Sequence, residues 1–123
     1  MPSPATPSPA FEQRPWGRFW VLSDAADCKV KRLEVDPGQR LSYQRHAKRR
    51  EHWLVVAGVA TITLDDVEHT RRVGEAIDVP LRAWHRLANR GSEVLAVVEV
   101  QLGEYFGEDD IERRSDDYGR ANG

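Results

Sequence analysis

The stretch "GQRLSYQRHAKRREHWLVVAG", residues 38–58, decides how the chain is read. Gln44, His46 and Glu51 are metal-ligating types, and Arg45, Lys48, Arg49 and Arg50 stand among them. On a strand, side chains alternate between faces, so Arg40, Ser42, Gln44 and His46 share one face and Leu41, Tyr43 and Arg45 share the other. A face carrying Gln-x-His belongs inside a barrel only when something polar is held there. After a short basic loop, Glu51 opens the next run, "HWLVVA" (52–57), which stops at Gly58. The cations Lys48, Arg49 and Arg50 read as a solvated loop. Leu41 and Tyr43 read as an apolar outer face, shielded by a second copy or by the terminal segments.

Outward from this stretch the pattern repeats. "RFWVL" (18–22), "CKVKRLEV" (28–35), "VATITL" (59–64), "VEHTRRV" (67–73), "AIDVP" (76–80), "WHRLAN" (84–89) and "VLAVVEVQL" (94–102) are short apolar or alternating runs. Pro37-Gly38, Gly58, Asp65-Asp66 and Pro80 punctuate them. Strands at this spacing, rich in Val, Ile, Thr and Trp, predict an all-β sandwich or small barrel. No segment before residue 104 keeps a helical period for long. In the polar close "GEYFGEDDIERRSDDYGRANG" a short C-terminal helix is expected over 108–114. The opening "MPSPATPSPA" offers little surface to bury, so residues 1–10 are expected to be a disordered tail and 11–120 a single folded domain.

Composition excludes several classes. The 123 residues predict one domain. Lys and Arg number 18 against 20 Asp and Glu, a net charge of −2, so no nucleic-acid partner is expected. The single cysteine, Cys28, excludes an internal disulfide and reads as a buried structural thiol in a reducing compartment. No apolar run approaches the roughly 20 residues of a membrane helix. The opening residues lack the cationic and apolar regions of a secretory signal. A cytoplasmic protein with no membrane partner is the expectation.

The other half of a metal site lies far along the chain, where Trp84-His85 follows the turn at Pro80-Leu81-Arg82. One histidine alone is more often a satisfied core group than a ligand. Gln44, His46, Glu51 and His85 together make a mixed N/O set that suits a divalent first-row metal with open positions. The spacing is Gly38-x5-Gln44-x-His46-x4-Glu51-x6-Gly58, then Gly74-x5-Pro80-x-Arg82-x2-His85-x3-Asn89. It resembles the two motifs of the cupin family, G-x5-H-x-H-x3,4-E-x6-G and G-x5-P-x-G-x2-H-x3-N. Gln44 replaces a His and Arg82 a Gly. The resemblance implies a single cupin β-barrel, or jelly roll, and assigns Gln44, His46, Glu51 and His85 as metal ligands. It also implies a homodimer.

"RPWG" (14–17), "EHWLVVAG" (51–58), "HRLANRG" (85–91) and above all "GEYFGEDDI" and "DDYGR" resemble the type II mannose-6-phosphate isomerase domain, in which Gln at the first ligand position is usual. That domain also forms the C-terminal part of bifunctional mannose-1-phosphate guanylyltransferases. Where the family commonly has further histidines, this chain has Ala47 and Lys48. The implied reaction interconverts mannose 6-phosphate and fructose 6-phosphate through a cis-enediol. The implied cofactor is a divalent metal ion, zinc first, with manganese, cobalt, nickel or magnesium as alternatives.

Such chemistry needs a base near neutrality and cations for the phosphate. Glu99, in an otherwise apolar strand, leads as base, with Glu51 second and His52 third. Arg40 and Lys31 are the candidate phosphate-binding residues. Trp53 and Trp84 flank the proposed ligands and are read as packing groups first. The rival readings are a non-catalytic cupin that binds a sugar or sugar phosphate, and a metal-dependent oxygenase.

Overall fold

Two antiparallel sheets pack face to face in the computed structural model, which describes residues 10–107 and 109–118. The larger sheet is ordered β1 (Ala10–Arg14), β2 (Gly17–Asp24), β3 (Cys28–Val35), β10 (Leu95–Gly103), β5 (Arg49–Ala57) and β8 (Ala76–Val79). The smaller is ordered β11 (Glu112–Ser115), β4 (Tyr43–Arg45), β9 (His85–Ala88), β6 (Val59–Leu64) and β7 (Val67–Arg72). This is the all-β jelly-roll barrel of a cupin. No described residue is helical, so no helix is long and apolar enough to cross a membrane.

The alternation read from sequence becomes an inside and an outside. In β5, Arg49, Glu51, Trp53 and Val55 are buried, whereas Arg50, His52 and Leu54 are exposed. The register sets Leu33 of β3 opposite Val97 of β10, and Val97 opposite Val55 of β5. Two residues along, Lys31 lies opposite Glu99, and Glu99 opposite Trp53. The inward rows change from apolar to polar, Leu33 to Lys31, Val97 to Glu99 and Leu87 to His85, while β5 stays apolar through Trp53 and changes at Glu51. The apolar half forms one core with Ile62 and Leu87 of the smaller sheet. The polar half becomes a chamber.

Turns hold the rows in phase. Asp65 and Asp66 both take positive φ, 45° and 67°, the two-residue turn that joins β6 to β7. Gly58 has φ 77°, and a Cβ there would meet the Val94 carbonyl oxygen at 2.9 Å. Arg82 also takes positive φ, 62°, where the cupin motif carries Gly. A side chain in that region costs about 1–2 kcal/mol, and glycine returns part of this as unfolded-chain entropy. Arg82→Gly is therefore expected to stabilise the protein by about 0.5–1 kcal/mol, seen as a rise of a few degrees in the thermal midpoint. An unchanged or lower midpoint would show that the turn is relaxed with arginine.

Several expectations need correction. The helix expected over 108–114 is replaced by strand β11, and residue 108 lies outside the described residues. Pairing with β4 at the edge of the smaller sheet, where β11 is the outermost strand, outweighs the local preference of an acidic segment. The described chain is already strand at Ala10, which pairs with Val21, while residues 1–9 and 119–123 of the expected tail and domain end lie outside the described residues. The run 40–46 is strand only at 43–45, with Arg40 bridged singly to Ala88. Alternation is therefore lost before Tyr43, and Leu41 packs against the core and lines the chamber instead of facing away. Tyr43 is covered within the chain: Trp84 lies against its ring, Arg114 of β11 lies over it, and its hydroxyl donates to Asp66 Oδ1 at 2.8 Å. The basic run is not wholly solvated, because β5 begins at Arg49 and buries it. Cys28 is half-buried rather than buried.

Candidate metal centre

His46, Glu51 and His85 bring their ligating atoms within 4.8 Å of one another, all buried. They come from different places: His46 just after β4, Glu51 in β5, His85 at the start of β9. Each imidazole is held by a carbonyl. His46 Nδ1–H donates to Asp110 O, and His85 Nδ1–H to Ala83 O, both at 2.9 Å. The tautomers this selects leave both Nε2 atoms as acceptors, 3.4 Å and 3.9 Å from the Glu51 carboxylate. His85 Nε2 is buried with no hydrogen-bond partner, and so is Gln101 Oε1 on the neighbouring strand. An unanswered imidazole nitrogen beside a buried carboxylate and a second imidazole acceptor is what a divalent cation would satisfy, so the residues fit a metal ion.

Gln44 reaches the cluster with its amide. Its Nε2 is 3.4 Å from His46 Nε2, and its Oε1 accepts from Ser42 Oγ at 2.6 Å. Turning the amide over would present Oε1 to the centre and its NH2 to Ser42, whose hydroxyl accepts as readily as it donates.

Arg49, read from sequence as part of a solvated loop, is instead buried against the cluster. It is 3% exposed; its Nε donates to Glu51 Oε2 at 2.9 Å, and its Nη2 lies 3.3 Å from His46 Nε2. Its signal was parity: two residues before Glu51 on one strand, it faces the same way. Burial pushes the His46 ring down to about 4, with Arg49 and His85 adding to the effect against Glu51. Burial likewise lowers His85. Burial pushes the Glu51 carboxyl up, but its cationic surroundings outweigh this and hold it below the ordinary range. Arg49 is the permanent cation among them, since both imidazoles are neutral near pH 7. Metal and Arg49 compete for the same His46 lone pair.

Asp110, in the "GEDDI" segment, was also missed as a site residue. Besides fixing His46 through its carbonyl, its carboxylate accepts from the backbone N–H of Ala47 at 3.2 Å and of Lys48 at 2.9 Å. The acidic close therefore braces the loop that carries the ligands.

Gln44 and Arg49 separate the centre from a cavity of about 420 Å³, also lined by Lys31, Glu99, Arg113 and Arg14. Trp16 and Phe19 supply its apolar wall, with Lys31 Nζ 4.5 Å from the Phe19 ring centroid. Burial and the nearby Glu51 charge push the Glu99 carboxyl up to about 7, against Lys31, Arg49 and a hydrogen bond from Gln101 Nε2. Arg40 is not brought here: it is exposed and held by Asp117 at 2.7 and 2.9 Å. His52 faces outward against Asp78. Trp53 is core, donating to Glu51 Oε1 at 3.0 Å, and Trp84 packs on Tyr43 and Arg45.

The family model described as "Mannose-6-phosphate isomerase C-terminal" matches residues 9–116. The alginate biosynthesis protein AlgA of Pseudomonas aeruginosa is 46% identical over 108 residues, covering 88% of this chain and 22% of that protein. A mannose-1-phosphate guanylyltransferase of Escherichia coli is 44% identical over 108 residues, covering 88% and 23%. The chain thus spans under a quarter of the length of the curated relatives it matches. Among solved structures, a Klebsiella pneumoniae protein with a double-stranded β-helix domain superposes with a TM-score of 0.70 at 18% identity, covering 92% of this chain and 90% of that one. Ligand spacing, barrel and match agree, and the chain belongs to the mannose-6-phosphate isomerase C-terminal family.

Proposed function

We propose that this domain is a metal-dependent aldose–ketose isomerase that interconverts mannose 6-phosphate and fructose 6-phosphate. The observation that carries the reading is a buried His–Glu–His cluster directly behind Gln44 and Arg49, which line a cation-lined cavity that also holds Glu99. The family description names this activity, and the chamber suits an anionic sugar.

His46, Glu51 and His85 would hold the ion, with the Gln44 amide oxygen as fourth ligand, and zinc suits this mixed nitrogen and oxygen set best. A divalent ion there would supply Lewis acidity to the sugar carbonyl and its neighbouring hydroxyl. Glu99, as carboxylate, takes the proton from C2 of the open-chain aldose. The C–H electron pair becomes the C1=C2 bond of a cis-enediol, and charge develops on O1. Glu99 returns its proton to C1 while the O2 proton passes to O1, which leaves the ketose. Glu99 is suited to both transfers because its carboxyl sits close to neutrality. Trp16 and Phe19 shield that carboxyl from bulk water on one wall.

Purified protein loaded with divalent metal is expected to convert mannose 6-phosphate to fructose 6-phosphate in a coupled assay. Sugar-phosphate binding without turnover, across zinc, manganese, cobalt, nickel and magnesium, would replace the isomerase by a non-catalytic sugar-phosphate-binding cupin.

A further inference from the structure

Each sheet carries a row of inward residues leading away from the metal centre. On the smaller sheet His85 lies opposite Gln44, and Gln44 opposite Arg113 of β11. On the larger sheet Glu51 lies opposite Gln101, and two residues along, Glu99 lies opposite Lys31. Neighbouring strands are roughly 4.8 Å apart and two residues along a strand span roughly 6.7 Å, so Arg113 stands about 10 Å from His85, two strands away, and Lys31 about 12 Å from Glu51, two strands and two residues away. Lys31 and Arg113 line the same cavity, and so do Glu99 and Gln44, which stand between them and the centre.

We propose that Lys31 and Arg113 form the phosphate subsite of this cavity, and that their separation from the metal centre gauges the length of the sugar. The identity of the ligand rests on the isomerase reading above. Six bonds separate C2 from phosphorus in an open-chain hexose 6-phosphate, which extended is roughly 7–8 Å at carbon–carbon lengths near 1.5 Å. A hexose phosphate with O1 and O2 at the donor cluster brings its phosphate to these two cations. Arg113 offers a planar fork for two phosphate oxygens, and Lys31 a compact charge from the opposite sheet. Arg49 sits too close to the centre for this role, since it already contacts Glu51 and His46. Arg14 is paired with Glu12 at the rim. The strand β11 gains a purpose as well: its pairing with β4 points Arg113 inward, while Glu112 binds Arg45 at 2.8 Å outside.

The test uses the full chain loaded with metal, with Arg113→Gln, Lys31→Gln and, as a second way to remove the lysine charge, Lys31→Met. Calorimetry gives the mannose 6-phosphate dissociation constant, the coupled assay gives KM and kcat, and metal content is measured on every variant. Each substitution is expected to raise both the dissociation constant and KM by about tenfold or more, with metal content little changed. Ribose 5-phosphate, one carbon shorter, is expected to bind wild-type protein at least about tenfold more weakly. Wild-type turnover with variants that bind mannose 6-phosphate normally overturns the subsite alone. Equal binding of ribose 5-phosphate overturns the length gauge. Variant-sensitive binding without any turnover keeps the subsite and removes the isomerase. A wild-type protein that neither binds nor converts mannose 6-phosphate overturns both.

Discussion

His85→Ala protein is expected to lose its metal and its turnover together. His85 Nε2 has no hydrogen-bond partner, so truncating the ring removes a ligand, the hydrogen bond to Ala83 O and the ring contacts with His46 and Trp53. What remains is Glu51 held by Arg49, with His46 contacted by the same guanidinium. The centre then turns toward a closed ion pair, which has little call for a cation. Loss of Lewis acidity is worth several kcal/mol at the transition state, on the order of 10³-fold in rate. Metal content after dialysis and the coupled assay, read on one sample, check both halves. Full metal occupancy in His85→Ala would remove the ligand assignment. Dialysis against a chelator should reproduce the loss in wild-type protein, and re-addition of metal should restore the rate. Acid has a predictable effect on the same centre. An imidazole held near 4 keeps its lone pair free of protons well below the pH at which an ordinary histidine would charge. Metal retention is thus expected through pH 5, with release only as the pH falls toward 4.

The clustering of these residues was legible because a cupin motif records strand parity: Gln44 and His46 are two apart, and His85 pairs with Gln44 in the register. Glu99 was legible for a related reason, a carboxylate in an apolar run having few ways to be accommodated. Arg49 was hidden by its company. Lys48 and Arg50 beside it are exposed, and nothing local separates the buried cation from the solvated ones except the register of β5. Arg40 misled in the opposite direction. It was given the parity of a strand that starts only at Tyr43, and its partner Asp117 lies 77 residues away in sequence. Asp110 and β11 depend on the same kind of distant pairing, where an acidic tail acquires structure only by closing over β4 and the loop after it. Local pattern thus gave the faces of long strands correctly and failed where a short strand is defined by its partner.

Glu99→Gln is expected to lower kcat by about 10²–10⁴-fold while leaving metal content and the fold intact. The substitution keeps the shape of the side chain and an oxygen to accept from Gln101 Nε2. It touches none of the three clustered ligands, so the metal is the control that separates it from His85→Ala. Proton transfer is what it removes. The wild-type rate should fall as pH drops through the Glu99 titration, because the carboxylate is the active form on the aldose side. That acid limb lies at or below about 7, the position set by burial and the Glu51 charge, since a cation bound beside Glu51 favours the carboxylate. In Glu99→Gln the limb should vanish and leave a flat, low rate over the same range. Deuterium from solvent should appear at C2 of mannose 6-phosphate recovered from wild-type reactions, and its rate of entry should fall with kcat in the variant. An unchanged kcat with the acid limb still present would take the base role from Glu99 and give it to Glu51, the other buried carboxylate at the centre.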